Sequence, residues 1–478
     1  MLQRRAPPEE MPENQSTQNA ASAVAPPPTE GWVLAACCLG AATVLGLTLQ
    51  LTNGTLRQDA IQGLTLALGL SAAGVAASRL GRWTLRAEAV LAVLLGGALL
   101  LQLRELVQAH PGMYLHLRGD WPYAHVYWTL GAEALVVGAL LAASEQVRRW
   151  LVPVLLGLHL LLGAWVLRTS PAPYIDVFVF EAMGADAMMA GTNPYAMTFP
   201  NIYGHGDFYG PGLVENGRLM FGFPYPPLSL YLSTLSKWLT TDPRWAQVIA
   251  LTLAAGFMAY ARGGRLAAGA AALLLMTPRG LFILEQAWTE PFLICLLAAT
   301  VFCACRFPRA LPYVFGLLLA VKQYTVFMVP LVVLLTPLRG RALWGLLWRA
   351  GATALAVSLP MIVINVPAFI HSAVTLQLRQ PFRMDSLSYL SWWVSQGHAQ
   401  PPVWVAFVGV AVASAVALWR APRTPGGFAA SIAFVYGVFF ALNKQAFSNY
   451  YYLVVGALCV ALASSGRTGS STAARALP

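Results

Sequence analysis

Long uncharged apolar runs alternate with short polar loops along most of the chain. The series opens with runs at 31–51, 60–78, 87–103, 125–144 and 150–167. After a polar interval it resumes at 245–261, 266–279, 290–304, 311–321, 324–337, 350–366, 402–419, 428–442 and 450–464. Crossing a bilayer as a helix takes about 20 apolar residues, and backbone polar groups cannot stay unpaired in lipid. The pattern therefore predicts an all-α polytopic membrane protein with fourteen hydrophobic segments. Residues 226–240 are also helical in pattern, but Lys237 interrupts the apolar run. An interfacial or re-entrant helix is expected there. The short runs 311–321 and 324–337 predict a broken helix pair with Lys322 at its outer tip, a place where an ionisable group is a functional candidate.

Charge then orients the segments. The formal net charge is +11, with 58% of residues hydrophobic. Eighteen of the 30 basic residues fall in alternate loops together with the N-terminal tail, among them Arg79, Arg148, Arg262, Arg306, Arg341 and Arg420. The positive-inside rule makes those loops cytoplasmic and predicts both termini on that side. Basic residues spread in this way, rather than clustered on one face or arm, argue against nucleic acid as a partner. The six cysteines lie in or beside apolar runs, with neither zinc-ligand spacing nor a disulfide framework. Residues 1–30 are rich in Pro, Glu, Gln, Ser and Ala and are expected to be a disordered cytoplasmic tail. A four-helix membrane module is expected over 31–147, a membrane core over 148–466 and a second tail over 467–478.

Polar chemistry collects in the outer loops 104–124, 168–244 and 367–401. Such long loops in a compact protein are usually functional. The stretch from Asp176 to Gly191 has apolar residues at helical spacing and predicts an amphipathic juxtamembrane helix, which Asn193-Pro194 ends. Asp176, Glu181 and Asp186 all lie on it. Asp186 follows Asp176 by nearly three turns and is expected to share its face, while Glu181 reads as solvated.

The order of Asp176 after an apolar run, a helix, Gly191-Thr192-Asn193-Pro194-Tyr195 and then Tyr225-Pro226-Pro227-Leu228 resembles glycosyltransferase family 87 of the GT-C superfamily. Glu285-Gln286-Ala287-Trp288, Lys322-Gln323, Lys444-Gln445 and Tyr450-Tyr451-Tyr452 are similar to that family as well. The resemblance covers about residues 150–465. The four preceding segments are a departure from it. It implies a GT-C-like membrane enzyme that transfers a sugar, mannose being one candidate, from a polyprenyl-phosphate donor to a hydroxyl of a glycan or glycolipid acceptor. The expected location is a bacterial plasma membrane, with the chemistry on its outer face.

On that resemblance Asp176 matches the first-loop aspartate and is expected to be the general base. A carboxylate partly withdrawn from water has the basicity this needs. Helix capping is its alternative role, and Asp186 is the reserve candidate. Lys322, Arg383 and Lys444 are expected to hold the donor phosphate, with interfacial snorkelling as the alternative. Asn193, Tyr195, Tyr225 and Gln286 are expected at the sugar or acceptor. Trp392 and Trp393 read as an aromatic belt, and Arg379 and Asp385 as a pair within their loop. His205 and Asp207 do not complete a metal-ligand set, and neither a required metal nor a cofactor is expected. The rival classes are a transporter and a non-catalytic scaffold. A transporter should show paired halves with mid-membrane charges. No internal repeat is visible, and Glu133 is the one clear mid-span ionisable residue.

Overall fold

A computed structural model describes residues 30–117, 122–204 and 208–466. The two expected tails, 1–29 and 467–478, lie outside the described residues, as do His205 and Asp207. Helices dominate. The first five are α1 (Trp32–Thr52), α2 (Gln58–Ala76), α3 (Leu85–Gln108), α4 (Tyr123–Ala142) and α5 (Glu145–Thr169). The long loop then forms α6 (Asp176–Met189), a small sheet and α7 (Pro227–Thr240). Its strands β1 (Phe199–Pro200), β2 (Val214–Glu215) and β3 (Arg218–Leu219) pair antiparallel in the order β1-β3-β2. Next come α8 (Trp245–Ala261), α9 (Gly264–Leu275), α10 (Gly280–Glu285), α11 (Glu290–Arg306), α12 (Leu311–Leu319) and α13 (Val332–Leu335). The last third holds α14 (Gly340–Ile364), α15 (Val366–Ile370), α16 (Leu376–Arg379), α17 (Tyr389–Ser395), α18 (Trp404–Arg420), α19 (Pro425–Ala441) and α20 (Ser448–Ser464).

Apart from that sheet the described residues are all-α. Helices α1 to α5 and α14 are long and apolar enough to cross a membrane, and α8, α9 and α18 to α20 are shorter apolar helices beside them. Every residue of α9 from Leu266 to Leu275 is buried, as is all but one of α20. These two helices form the centre. Most of α14 is exposed, including Trp344, Trp348 and Val363, as suits a lipid-facing helix. In lipid, apolar side chains gain nothing by leaving the solvent, so close packing of small residues holds such helices together. The run of alanines in α9 serves that contact. The four N-terminal helices do not stand apart. α1 packs along α20, α2 against α19, and α3 and α4 against α9.

The arginine-bearing loops gather at one end. Gly31 N–H donates to Ser78 O at 2.8 Å, and Ser78 Oγ to Arg420 O at 3.3 Å. Nearby, Tyr260 OH donates to Arg149 O and Arg306 Nε to Ala261 O. The long loops meet at the other end, where Leu56 N–H donates to Asp385 O at 2.8 Å and Arg383 N–H to Lys444 O at 2.9 Å.

Three expectations need correction. Residues 324–337 do not form a continuous helix. They make a 3-10 turn over Gln323–Met328 and only the short α13, since Pro330 denies the backbone an amide donor. The run placed at 350–366 belongs to the 25-residue α14, which begins at Gly340 and takes in Arg341 and Arg349. Glu181 is not solvated. It is wholly buried where α6 packs on α7. Helix α7, with 14 residues, is about 21 Å long, shorter than the roughly 30 Å apolar core of a bilayer.

Candidate active site

Asp176 is the first residue of α6 and lines a cavity of about 520 Å³ on the long-loop face. Its Oδ1 accepts the N–H of Val177 at 2.8 Å, and its Oδ2 accepts the phenol hydrogen of Tyr209 at 2.9 Å. Its own N–H donates to Tyr203 OH at 3.2 Å. Tyr203 stacks on Phe208 at 4.4 Å between ring centroids. Burial pushes the Asp176 carboxyl above the usual aspartate range. The bonds from Tyr209 and Val177, the neighbouring Tyr203 hydroxyl and the charge of Arg383 oppose that shift. The phenols of Tyr203, Tyr209 and Tyr225 are pushed up in turn, first by burial and then by the Asp176 charge, so they remain donors.

Arg383 lines the same cavity. Its Nε and Nη2 grip Asp385 at 2.9 and 2.7 Å, in place of the expected pair between Arg379 and Asp385. The guanidinium lies 4.4 Å from the Phe208 ring centroid and 5.0 Å from that of Phe447. It is thus held in place, with its Nη1 unbonded among the described residues. The Nη1 side of a guanidinium fixed in this way is suited to a phosphate oxygen.

Tyr225 and Gln286 also line the cavity. Tyr225 is set by its flanks. Tyr195 OH donates to its carbonyl at 2.8 Å, and Gln323 and Gln377 donate to Pro224 O at 2.8 and 3.1 Å. Pro227 then opens α7 at a position where proline suits a helix start. Asn193 and Tyr195 build this wall without lining it. Asn193 Oδ1 accepts Tyr195 N–H at 3.0 Å, and Tyr195 is buried in the aromatic cluster beneath the sheet.

The remaining candidates stand elsewhere. Ten residues of helix rise about 15 Å and leave about 80° of rotation, so Asp186 misses the face of Asp176 and pairs with Lys237 at 2.6 Å. Lys322 is not at an exposed tip. It is buried, and its Nζ lies 2.5 Å from Glu290 Oε1, with the rings of Tyr225, Tyr324 and Tyr450 around it. Tyr324 OH and Asn449 Nδ2 donate to the same Glu290 oxygen, each at 3.1 Å. Lys444 Nζ donates to the carbonyls of Gln377, Leu378 and Gln380. All three ammonium hydrogens are thereby used, and the charge stabilises the C-terminal end of α16. Glu181 faces the Ser233 and Ser229 hydroxyls of α7 without an ordered hydrogen bond to either, and burial raises its carboxyl to about 7.

Sequence reasoning missed Tyr209, Glu290 and Asn449. Glu290 carried a usable signal, an acidic residue at the start of an apolar run. The partners of Tyr209 and Asn449 depend on long-range folding. Among the described residues no three His, Cys, Asp or Glu side chains converge as metal ligands. Outside the cavity, a groove of about 340 Å³ between α7, α8, α11 and α12 is lined almost wholly by apolar side chains, with Leu228, Leu232 and Phe292 among them. Compared with known proteins, the chain matches no family model, no curated protein and no solved structure.

Proposed function

We propose that this protein is a GT-C-like membrane glycosyltransferase. It moves a sugar from a polyprenyl-phosphate donor to a hydroxyl acceptor at the face opposite the arginine-bearing loops. The observation that carries this reading is a carboxylate of raised basicity, Asp176, sharing one cavity with an immobilised guanidinium, Arg383. Asp176 takes the proton of the acceptor hydroxyl as the acceptor oxygen bonds to the sugar carbon. The bond from that carbon to the phosphate oxygen breaks, and the polyprenyl phosphate leaves with the electron pair. Arg383 stabilises the charge gathering on it. Tyr225 and Gln286 supply hydrogen bonds to sugar hydroxyls. Lys322 acts on the site through the Tyr225 wall, not as a free phosphate ligand. The apolar groove behind Leu228, three residues from Tyr225, offers the isoprenoid chain a path in the bilayer. The arginine face is cytoplasmic in this scheme, and the membrane is a bacterial plasma membrane.

The test is transfer of labelled sugar from polyprenyl phosphate by the purified protein. Asp176→Asn keeps size and most hydrogen bonding but cannot take a proton. It should insert normally, retain donor binding and lose about 10²–10⁴ in rate. Near-normal turnover in that variant would remove Asp176 from catalysis. Arg383→Lys keeps the charge but loses the fork, so donor KM should rise about tenfold or more while acceptor KM holds.

A further inference from the structure

Part of the cavity wall comes from the N-terminal helices, to which the proposed reaction assigns no role. The turn after α1 contributes Thr52, Asn53 and Thr55, and the loop after α3 contributes Met113 and Tyr114. Both pieces are fastened to the core. Thr55 bridges Ser386, and Leu387 N–H donates to Gly54 O at 3.1 Å. Gly54 has φ of 74°, and a Cβ there would lie 2.2 Å from Ser448 N, so only glycine fits. On the other loop, Glu285 accepts the N–H of Met113 and of Tyr114, both at 2.7 Å. A Cβ on Gly112 would lie 2.5 Å from that carboxylate. Arg279 fixes the start of the loop by donating to His110 O at 3.1 Å.

Asn53 is left with its hydrogen-bonding capacity largely unused. Its φ of 56° places it in the left-handed region at the end of α1. Among the described residues its buried Oδ1 has no partner, and its Nδ2 reaches only the Met113 sulfur at 3.6 Å. A thioether is a weak acceptor, and buried polar atoms are normally satisfied. The hydroxyl of Thr52 is likewise buried without a partner among the described residues. Across the loop, Gln286 sits beside Ala287, a non-glycine residue at φ 55°. Strain of that kind persists where the surroundings over-determine it, often at functional sites. The Trp288 ring follows on the same wall. The wall thus offers the Asn53 amide, the Gln286 amide oxygen, a hydroxyl and an aromatic face, while Glu285 behind it is spent on the Met113 and Tyr114 amides and on Gln286 Nε2 at 3.1 Å. That is the chemistry of a neutral polyhydroxyl ligand.

The wall also adjoins the base. The Tyr114 and Tyr174 rings are 6.5 Å apart, and Tyr174 lies two residues before Asp176. An acceptor hydroxyl must come within hydrogen-bond reach of the base, so what reaches Asp176 from this side passes over Tyr114 and Asn53. We infer that the N-terminal helices complete the acceptor subsite, which recognises a neutral sugar ring through Asn53 and the amide oxygen of Gln286 and is held in shape by Glu285 as a positioning residue. This rests on the glycosyltransferase reading for the word acceptor, but not for the binding of a glycoside.

Two measurements on the full chain separate the two. Saturation-transfer NMR with methyl glycosides of mannose, glucose and galactose reads the subsite without catalysis. Wild type and Asp176→Asn should bind one of them, and Asn53→Gly should bind it about tenfold more weakly, the loss of a hydrogen-bonding amide. Glycine tolerates the same backbone angle, so this variant should fold. In transfer assays Asn53→Gly and Glu285→Gln should raise acceptor KM about tenfold and leave donor KM unchanged. A merely structural role for Glu285 would move both constants together. Failure of wild type to bind any glycoside, or unchanged binding by Asn53→Gly, overturns the subsite. Glycoside binding that depends on Asn53, without transfer from any polyprenyl-phosphate sugar, leaves the subsite standing and overturns the proposed function.

Discussion

Tyr209 donates to Oδ2 of Asp176 across 33 residues of loop, at 2.9 Å. This bond lowers a carboxyl pKa that burial raises. Activity that needs the carboxylate rises with pH through that pKa, above the ordinary aspartate value of about 4. Tyr209→Phe removes a donor to the charged form, so the acid limb of the kcat/KM profile should move to higher pH. A limb that stays in place, or moves down, would mean that this bond does not tune Asp176.

The buried Lys322–Glu290 pair gives a stability prediction. Removing one partner leaves the other charged and buried, which typically costs about 3–5 kcal/mol. Lys322→Met and Glu290→Gln should each lower the unfolding temperature in detergent, and the double variant should recover much of the loss. Additive losses in that cycle would show that the pair does not couple.

Glu181 predicts a pH-dependent stability. Its folded pKa of about 7 lies above the ordinary glutamate value of about 4.3. The folded state therefore binds the proton more tightly. Its contribution is full below about pH 4 and is lost as pH rises through about 7. Glu181→Gln cannot ionise and should be more stable than wild type at pH 8 by about 1–3 kcal/mol, with a smaller difference at pH 5. Equal stability of the two proteins at both pH values would remove the effect.

The grouping of loops gives a topological prediction. In a background without the six native cysteines, a cysteine at Gln400 should react with an impermeant thiol reagent added from outside. One at Arg341 should react only after permeabilisation. Both side chains are exposed, so access and not burial decides the result. Labelling of both positions from the same side would overturn the two-faced arrangement.

The sequence by itself determined the helices and their grouping. Segment length, apolar content and arginine spacing are local properties, and lipid leaves the backbone no alternative to a helix. Thirteen of the fourteen apolar runs are helical in the structure, and the exception, 324–337, is divided at 329–331 between a 3-10 turn and the short α13. Asp176 at the head of a loop helix was legible for the same reason. What only the tertiary structure decided is what each charged side chain meets. Lys322, Lys444 and Arg383 looked alike as outer cations. One is paired in the core with Glu290, one is spent on carbonyls at the end of α16, and one is held beside Phe208 and Phe447 at the cavity. Asn53 and Tyr114 gave no signal, because the wall they form exists only where α1 and α3 end beside residues more than 160 positions away, Glu285 and Ser386 among them. Burial and partnership arise from contacts between distant segments, and no local period encodes them.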